Sequence, residues 1–224
     1  MHNSLRGESS IEILRLVEIK IYSFVNQLFI FLYAIHVMEV KMYKSDLELL
    51  YFEMWYDEKD NKIYFHEGKI GEYGDSYNGL IKDRNISPSA IIENIKRDKE
   101  KEGYQSDWSK IYKQELVLQY KLSPNSYEGR KDLEIREKVK DIIQSILSAT
   151  SNGYVTDALF EEDLFNVFFF VFDIQSAVFK ILKLLEFKGY LQDMNVIAKL
   201  LDSYDYEVIY PLDYSKEFRL GKIL

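Results

Sequence analysis

Nine residues from Leu164 to Phe172, LFNVFFFVF, carry no charge and a single polar side chain, Asn166. A run apolar on both faces predicts a central strand, covered by helices on one side and by more protein on the other. The chain around it must supply those covers.

The flanking sequence does so. Lys131 to Leu147 places Ile135, Val139, Ile142, Ile143 and Ile146 at spacings that line one helical face. Asp173 is a good N-cap for a second helix with the stripe Ile174, Ala177, Val178, Ile181, Leu182 and Leu185, and Gly189 ends it. Glu115 to Leu122 reads as a strand, Ser123 to Gly129 as a loop and Gly153 to Asp157 as a short strand. Val196 to Leu201 and Tyr206 to Tyr210 read as strands around the turn Asp202 to Asp205, and Pro211 ends the last one. The order β, α, β, β, α, β, β predicts a ferredoxin-like (split βαβ) domain over 112–214 with one extra edge strand.

A different pattern precedes it. Leu47 to Glu58 is rich in aromatic residues and ends at the turn signal Asp57 to Asn61, and Lys62 to His66 should return antiparallel to it. Trp55 and Tyr64 then become cross-strand partners or core, with ligand stacking as the alternative. Gly68, Gly71 and Gly74 punctuate the next connection, where glycine reaches positive φ without penalty. Residues 75–86 read as a polar connection. Ser87 caps a helix with Pro88 at its first position and Ile91, Ile92 and Ile95 as its stripe, and Gly103 stops it.

The run Glu67-Gly68-Lys69-Ile70-Gly71, with Gly74 following, resembles the signature of a WGR domain, the small module named for Trp-Gly-Arg. Glutamate stands at the tryptophan position and lysine at the arginine position. The resemblance implies a β-rich module over 41–105 and a nucleic-acid or DNA-repair accessory role. That role rests on a planar aromatic and a guanidinium fork, which Glu67 and Lys69 do not reproduce. The later half, from Leu147 through the phenylalanine run to Pro211, is similar to the C-terminal domain of uncharacterised bacterial proteins in which it follows a WGR-like module. The fold class expected is therefore α+β, a WGR-like module followed by a ferredoxin-like domain.

Residues 1–40 form a hydrophobic N-terminal extension, and Ile21 to Met38 contains no charge over nearly one bilayer crossing. A membrane anchor, a buried element, and an upstream extension ahead of a start at Met38 or Met42 are the three readings. A cleaved secretory signal is disfavoured by Glu8, Glu12 and Glu18 beside Arg6 and Arg15.

Charge and inventory narrow the function. The net charge of −8 divides as −1, −3 and −4 over residues 1–40, 41–105 and 106–224, so no segment is basic. Nucleic-acid affinity comes largely from lysine and arginine displacing counterions, which places that role second. Lys96, Arg97, Lys99 and Lys101 alternate with Asp98, Glu100 and Glu102, as on a solvated helix face. No cysteine is present, which removes thiol chemistry and thiolate metal sites and fits a cytoplasmic location. His2, His36 and His66 are the only histidines, and no Ser-His-Asp order, zinc spacing or phosphate loop is visible.

Asp157, Glu161, Glu162 and Asp163 form an acidic set that reads either as a divalent-cation or acid–base cluster or as a solvated loop. The expectation is a protein without catalysis or cofactor that binds another protein, an immunity or antidote type being one form; its 18 tyrosines suit such contacts. Candidate binding residues are Lys69, Tyr73, Trp55, Tyr64 and His66. The nucleic-acid alternative would gather Lys69 with Lys62, Lys82 or Arg84.

Overall fold

The computed structural model describes residues 39–82, 86–107, 111, 113–121, 130–161, 164–192, 194–203, 205–215 and 218–220. The first sheet has the order β1-β2-β3-β4, with β1 Glu39–Ser45, β2 Leu49–Asp57, β3 Lys62–Lys69 and β4 Asp75–Leu80, and every pairing is antiparallel. Met42, Phe52, Met54 and Ile63 turn one face of it onto helix α1, Pro88–Lys101, where Ile92 is buried and Ile91 and Ile95 pack alongside. The helix starts as its sequence dictates: the Ser87 hydroxyl accepts from the Ala90 amide, and Pro88 occupies a position where no amide hydrogen is needed.

The second sheet has the order β6-β7-β5-β8-β9, again antiparallel throughout. Its strands are β5 Gln114–Lys121, β6 Gly153–Glu161, β7 Leu164–Val171, β8 Met194–Leu200 and β9 Tyr206–Tyr210. Helices α2, Arg130–Ala149, and α3, Ile174–Lys188, cover one face. The phenylalanine run is interior, between β6 and β5. Phe165, Val167, Phe169 and Val171 face the helices and are buried, while Phe168 and Phe170 alternate with them at intermediate burial. The fold is mixed α+β, and Glu39–Leu224 clusters as one compact unit.

Helix α3 is delimited by two local signals. The Asp173 carboxylate accepts from the Ser176 amide, and Gly189 closes the helix in the left-handed region at φ 77°. Asp173→Ala should therefore lower stability by about 1 kcal/mol in a urea titration, the usual cost of a lost N-cap.

Three elements depart from the pattern reading. Residues 75–80, expected as a polar connection, form strand β4; all six are exposed, so backbone pairing with β3 holds the strand and no apolar alternation announces it. The sequence pattern marks no strand over Glu39–Ser45 and groups Glu39 and Val40 with the N-terminal extension, yet the two begin β1, opposite Trp55 and Met54. The short strand from Gly153 runs on to Glu161, which places Asp157 and Glu161 within β6. Residues 1–38, including Ile21 to Met38, and the expected loop Ser123 to Gly129 lie outside the described residues. Among those described, no helix is long and apolar enough to cross a membrane.

Candidate functional site

Antiparallel register places Lys41, Glu53 and His66 in one row across β1, β2 and β3, on the face turned away from α1. Glu53 is 1% exposed, a carboxylate in the middle of an aromatic strand. Burying such a charge is costly unless it is paired and hydrogen-bonded. Here both oxygens find donors: Lys41 Nζ lies 3.1 Å from Oε1, His66 Nδ1 lies 3.0 Å from Oε2, and the Ser151 hydroxyl donates to Oε1. Burial alone would push the Glu53 pKa up. The hydrogen bond from His66 and the charge of Lys41 outweigh it and hold the carboxyl below its usual range.

The chain of contacts continues past His66. A carboxylate only accepts, so Nδ1 donates to Glu53, and Nε2 shares a hydrogen bond with the Tyr51 hydroxyl, 2.8 Å away. Tyr51 is fully buried, and burial together with the nearby Glu53 charge raises its pKa. A hydroxyl, an imidazole and a carboxylate in series have the connectivity that activates nucleophilic hydroxyls. The Tyr51 hydroxyl, however, is walled in. Gly68 and Gly74 close over its ring, and a Cβ on Gly74 would collide with the Tyr51 oxygen and with the Glu67 carbonyl.

This row is also where the two sheets meet. Thr150, Ser151 and Asn152, after α2, are all buried polar residues. Ser151 reaches Glu53, the Thr150 carbonyl accepts from the Gly71 amide at 2.9 Å, and the Ser176 hydroxyl donates to the Gly71 carbonyl. Asn152 ties the seam to the start of α3, accepting from the Asp173 amide at 2.7 Å and donating to the Asp173 carbonyl at 2.8 Å. Tyr43, Tyr51 and Ile70 supply the apolar part, with Phe172 packed against them.

The glycines at this seam are kept for two reasons. Gly71 has φ +86°, as a tight connection requires. Neither Gly68 nor Gly74 is in the positive-φ region, and both are needed for the space that Tyr51 takes.

The candidate binding residues fall in separate places. His66 belongs to the buried row, with its side chain 12% exposed, and its neighbour Glu67 turns to the opposite face to meet Tyr77 at 2.9 Å and Lys99 at 3.3 Å. Trp55 and Tyr64 are cross-strand partners, stacked at 5.6 Å with planes 11° apart, and the Tyr64 hydroxyl donates to Asp60. Lys69 pairs with Glu48 at 2.9 Å and Glu72 at 3.7 Å. It ends β3 while Lys62 begins it, so the strand separates the two instead of gathering them. Lys82 is exposed just beyond β4, and Arg84 lies outside the described residues. Tyr73 is exposed beside α3, with Lys180 Nζ 5.8 Å from its ring centre.

In the acidic set, Asp157 accepts from the amide of its own neighbour Ala158, while Glu162 and Asp163 lie outside the described residues. No group of three potential metal-ligating side chains occurs among those described. Sequence pattern alone does not single out Lys41, Tyr51, Glu53 or Ser151. The usable signal was Glu53 itself, a lone charge in LLYFEMWY.

A second feature lies on the other face of the first sheet. Beside α1, Ile63, Phe65, Gly79, Ile81, Ile91 and Ile95 line an apolar groove of about 210 Å³. Leu80 and Ile86 at its rim are 56% and 46% exposed, and β4 alongside is the outer strand of its sheet. No family model, curated protein or solved structure matches the chain.

Proposed function

We propose that this chain is a non-catalytic protein-binding module that engages its partner at β4 and the adjoining apolar groove. The observation that carries the reading is an outer strand that pairs on its far side with no other described strand, with exposed apolar side chains beside it. β4 contains neither lysine nor proline, the residues that commonly blunt an edge, and its backbone offers hydrogen bonds that an added strand would take. The net charge of −8 favours capture of a basic partner, as an antidote to a basic toxin or nuclease would require.

The strand order 2-3-1-4-5 within the second sheet supports reading it as ferredoxin-like with an added edge strand. The four-stranded meander followed by α1 supports a WGR-like reading of the first sheet, with its signature altered at Glu67 and Lys69. A nucleic-acid accessory role has less support, because Lys62 and Lys69 stand at opposite ends of β3 and Lys69 is paired with glutamates.

An affinity pull-down from the source cell's lysate tests the reading, with the full chain and its Ile86→Asp variant as baits and nuclease added to half of each sample. The expected result is a stoichiometric protein that survives nuclease and is lost with Ile86→Asp. Prey that disappears with nuclease, or that the variant retains unchanged, would overturn the proposal.

A further inference from the structure

On the face of the second sheet away from α2 and α3, Val117, Val196 and Ala198 are fully buried, as expected of a sheet interior. Two positions break the pattern. Gln119 and Asn166, 2% and 1% exposed, are cross-strand partners on β5 and β7. Amides in such a place are costly unless bonded, and two of their bonds leave the sheet. Gln119 Nε2 donates to the Arg219 carbonyl at 3.0 Å, and Asn166 Nδ2 donates to the Leu220 carbonyl at 2.9 Å.

The direction of both amides is set within the cluster. Asn195 Nδ2 donates to Gln119 Oε1 at 2.8 Å, and Gln119 Nε2 also donates to Asn166 Oδ1 at 2.9 Å. With both oxygens engaged, the remaining N–H groups have to point outward. They form a pair of donors on adjacent strands, aimed at two consecutive main-chain carbonyls. Beside them, the Phe218 ring rests on Tyr206 at 5.2 Å between centroids.

We propose that Gln119, Asn166 and Tyr206 form a peptide-binding site that reads main-chain carbonyls next to an aromatic side chain, and that the chain's own Phe218–Leu220 occupies it in cis. Phe218–Leu220 is not part of either sheet. Residues 218–220 have no strand assignment, Arg219 is exposed, and Phe218 and Leu220 are only half-buried. Neutral amide N–H groups donate to any residue's carbonyl, so an aromatic–x–apolar segment of another protein would satisfy the same donors. Tethering gives the tail an effective concentration near millimolar, which keeps the site filled in the intact chain. The site is separate from β4 and its groove, and the inference goes beyond the function proposed there.

The test uses the full chain with a protease recognition sequence inserted between Asp213 and Lys216 and cleaved after folding. Gel filtration should separate the released tail, and far-UV circular dichroism should stay unchanged. The emptied protein should then bind a fluorescein-labelled peptide of residues 216–224 saturably, at least tenfold more tightly than the intact chain does. Asn195→Ala, which frees Gln119 to turn, should weaken that binding. Unfolding on cleavage, a tail that never leaves, or an emptied protein that ignores the labelled peptide would each overturn the proposal. Equal binding by the intact chain would overturn it as well.

Discussion

Glu53→Ala is expected to lower the stability of the folded chain by about 3 kcal/mol, read as a fall in the urea midpoint at constant slope. The loss comes from what is left behind. Removing the carboxylate strands Lys41, His66 and the buried Ser151 hydroxyl without their common acceptor, at the point where the two sheets join. Lys41 is 36% exposed and can turn toward water, which holds the cost at the lower end of the range for broken buried ion pairs. Glu53→Gln retains shape and one acceptor and should cost less. Equal losses for the two variants would show that charge, not shape or the retained acceptor, holds the row.

The same row has a defined pH profile. The Glu53 pKa is lower in the folded chain than its ordinary 4.5, so its contribution is complete above that value and is lost as pH falls through the folded one. For Tyr43, burial lifts the ordinary value of 10.0 to about 12, and Tyr51 moves in the same direction. Their contributions are complete below 10.0 and fade as pH rises through the raised values. The wild-type chain should therefore lose stability on acidification below 4.5, and the acid loss should shrink in Glu53→Gln. Urea midpoints taken across pH 3 to 7 for both proteins would show it. An identical acid slope in the two would place the titration elsewhere.

Gly74→Ala is the second large effect expected, about 3 kcal/mol, at the upper end of the usual cost of overpacking. The added methyl would strike the Tyr51 hydroxyl oxygen and the Glu67 main-chain carbonyl, and the latter belongs to a paired strand that has little freedom to move. Tyr51→Phe in the same chain should recover only part of the loss, since the carbonyl remains. Gly79→Ala, whose methyl would meet nothing within 4 Å, should change stability by less than about 0.5 kcal/mol. Urea titrations of the four proteins form the experiment. Similar losses at Gly74 and Gly79 would mean that the space at Gly74 does not set the cost.

The contrast between these glycines also separates what the amino-acid sequence determined from what tertiary structure decided. Local signals were sufficient for the helices. Ser87 and Pro88 start α1, and Asp173 and Gly189 delimit α3, because capping involves groups within a few residues of one another. Composition was sufficient for β7, where apolar side chains on both faces leave only the interior of a sheet. The same reading failed at β4, because an edge strand exposed on all six residues is held by its partner's backbone and carries no periodicity of its own.

The glycine run was legible as a connection but not as a packing requirement. Only Gly71 uses positive φ, and the space that Tyr51 needs at Gly68 and Gly74 exists only once β2 and β3 have paired. The buried row was hidden for the same reason. Lys41, Glu53, His66 and Ser151 span more than a hundred positions, and the register of three strands and the docking of a turn after α2 bring them within hydrogen-bonding distance. Local sequence determines which elements form, because caps and periodicity act over a few residues; which charges are buried together depends on strand register and sheet docking, which only the folded chain defines.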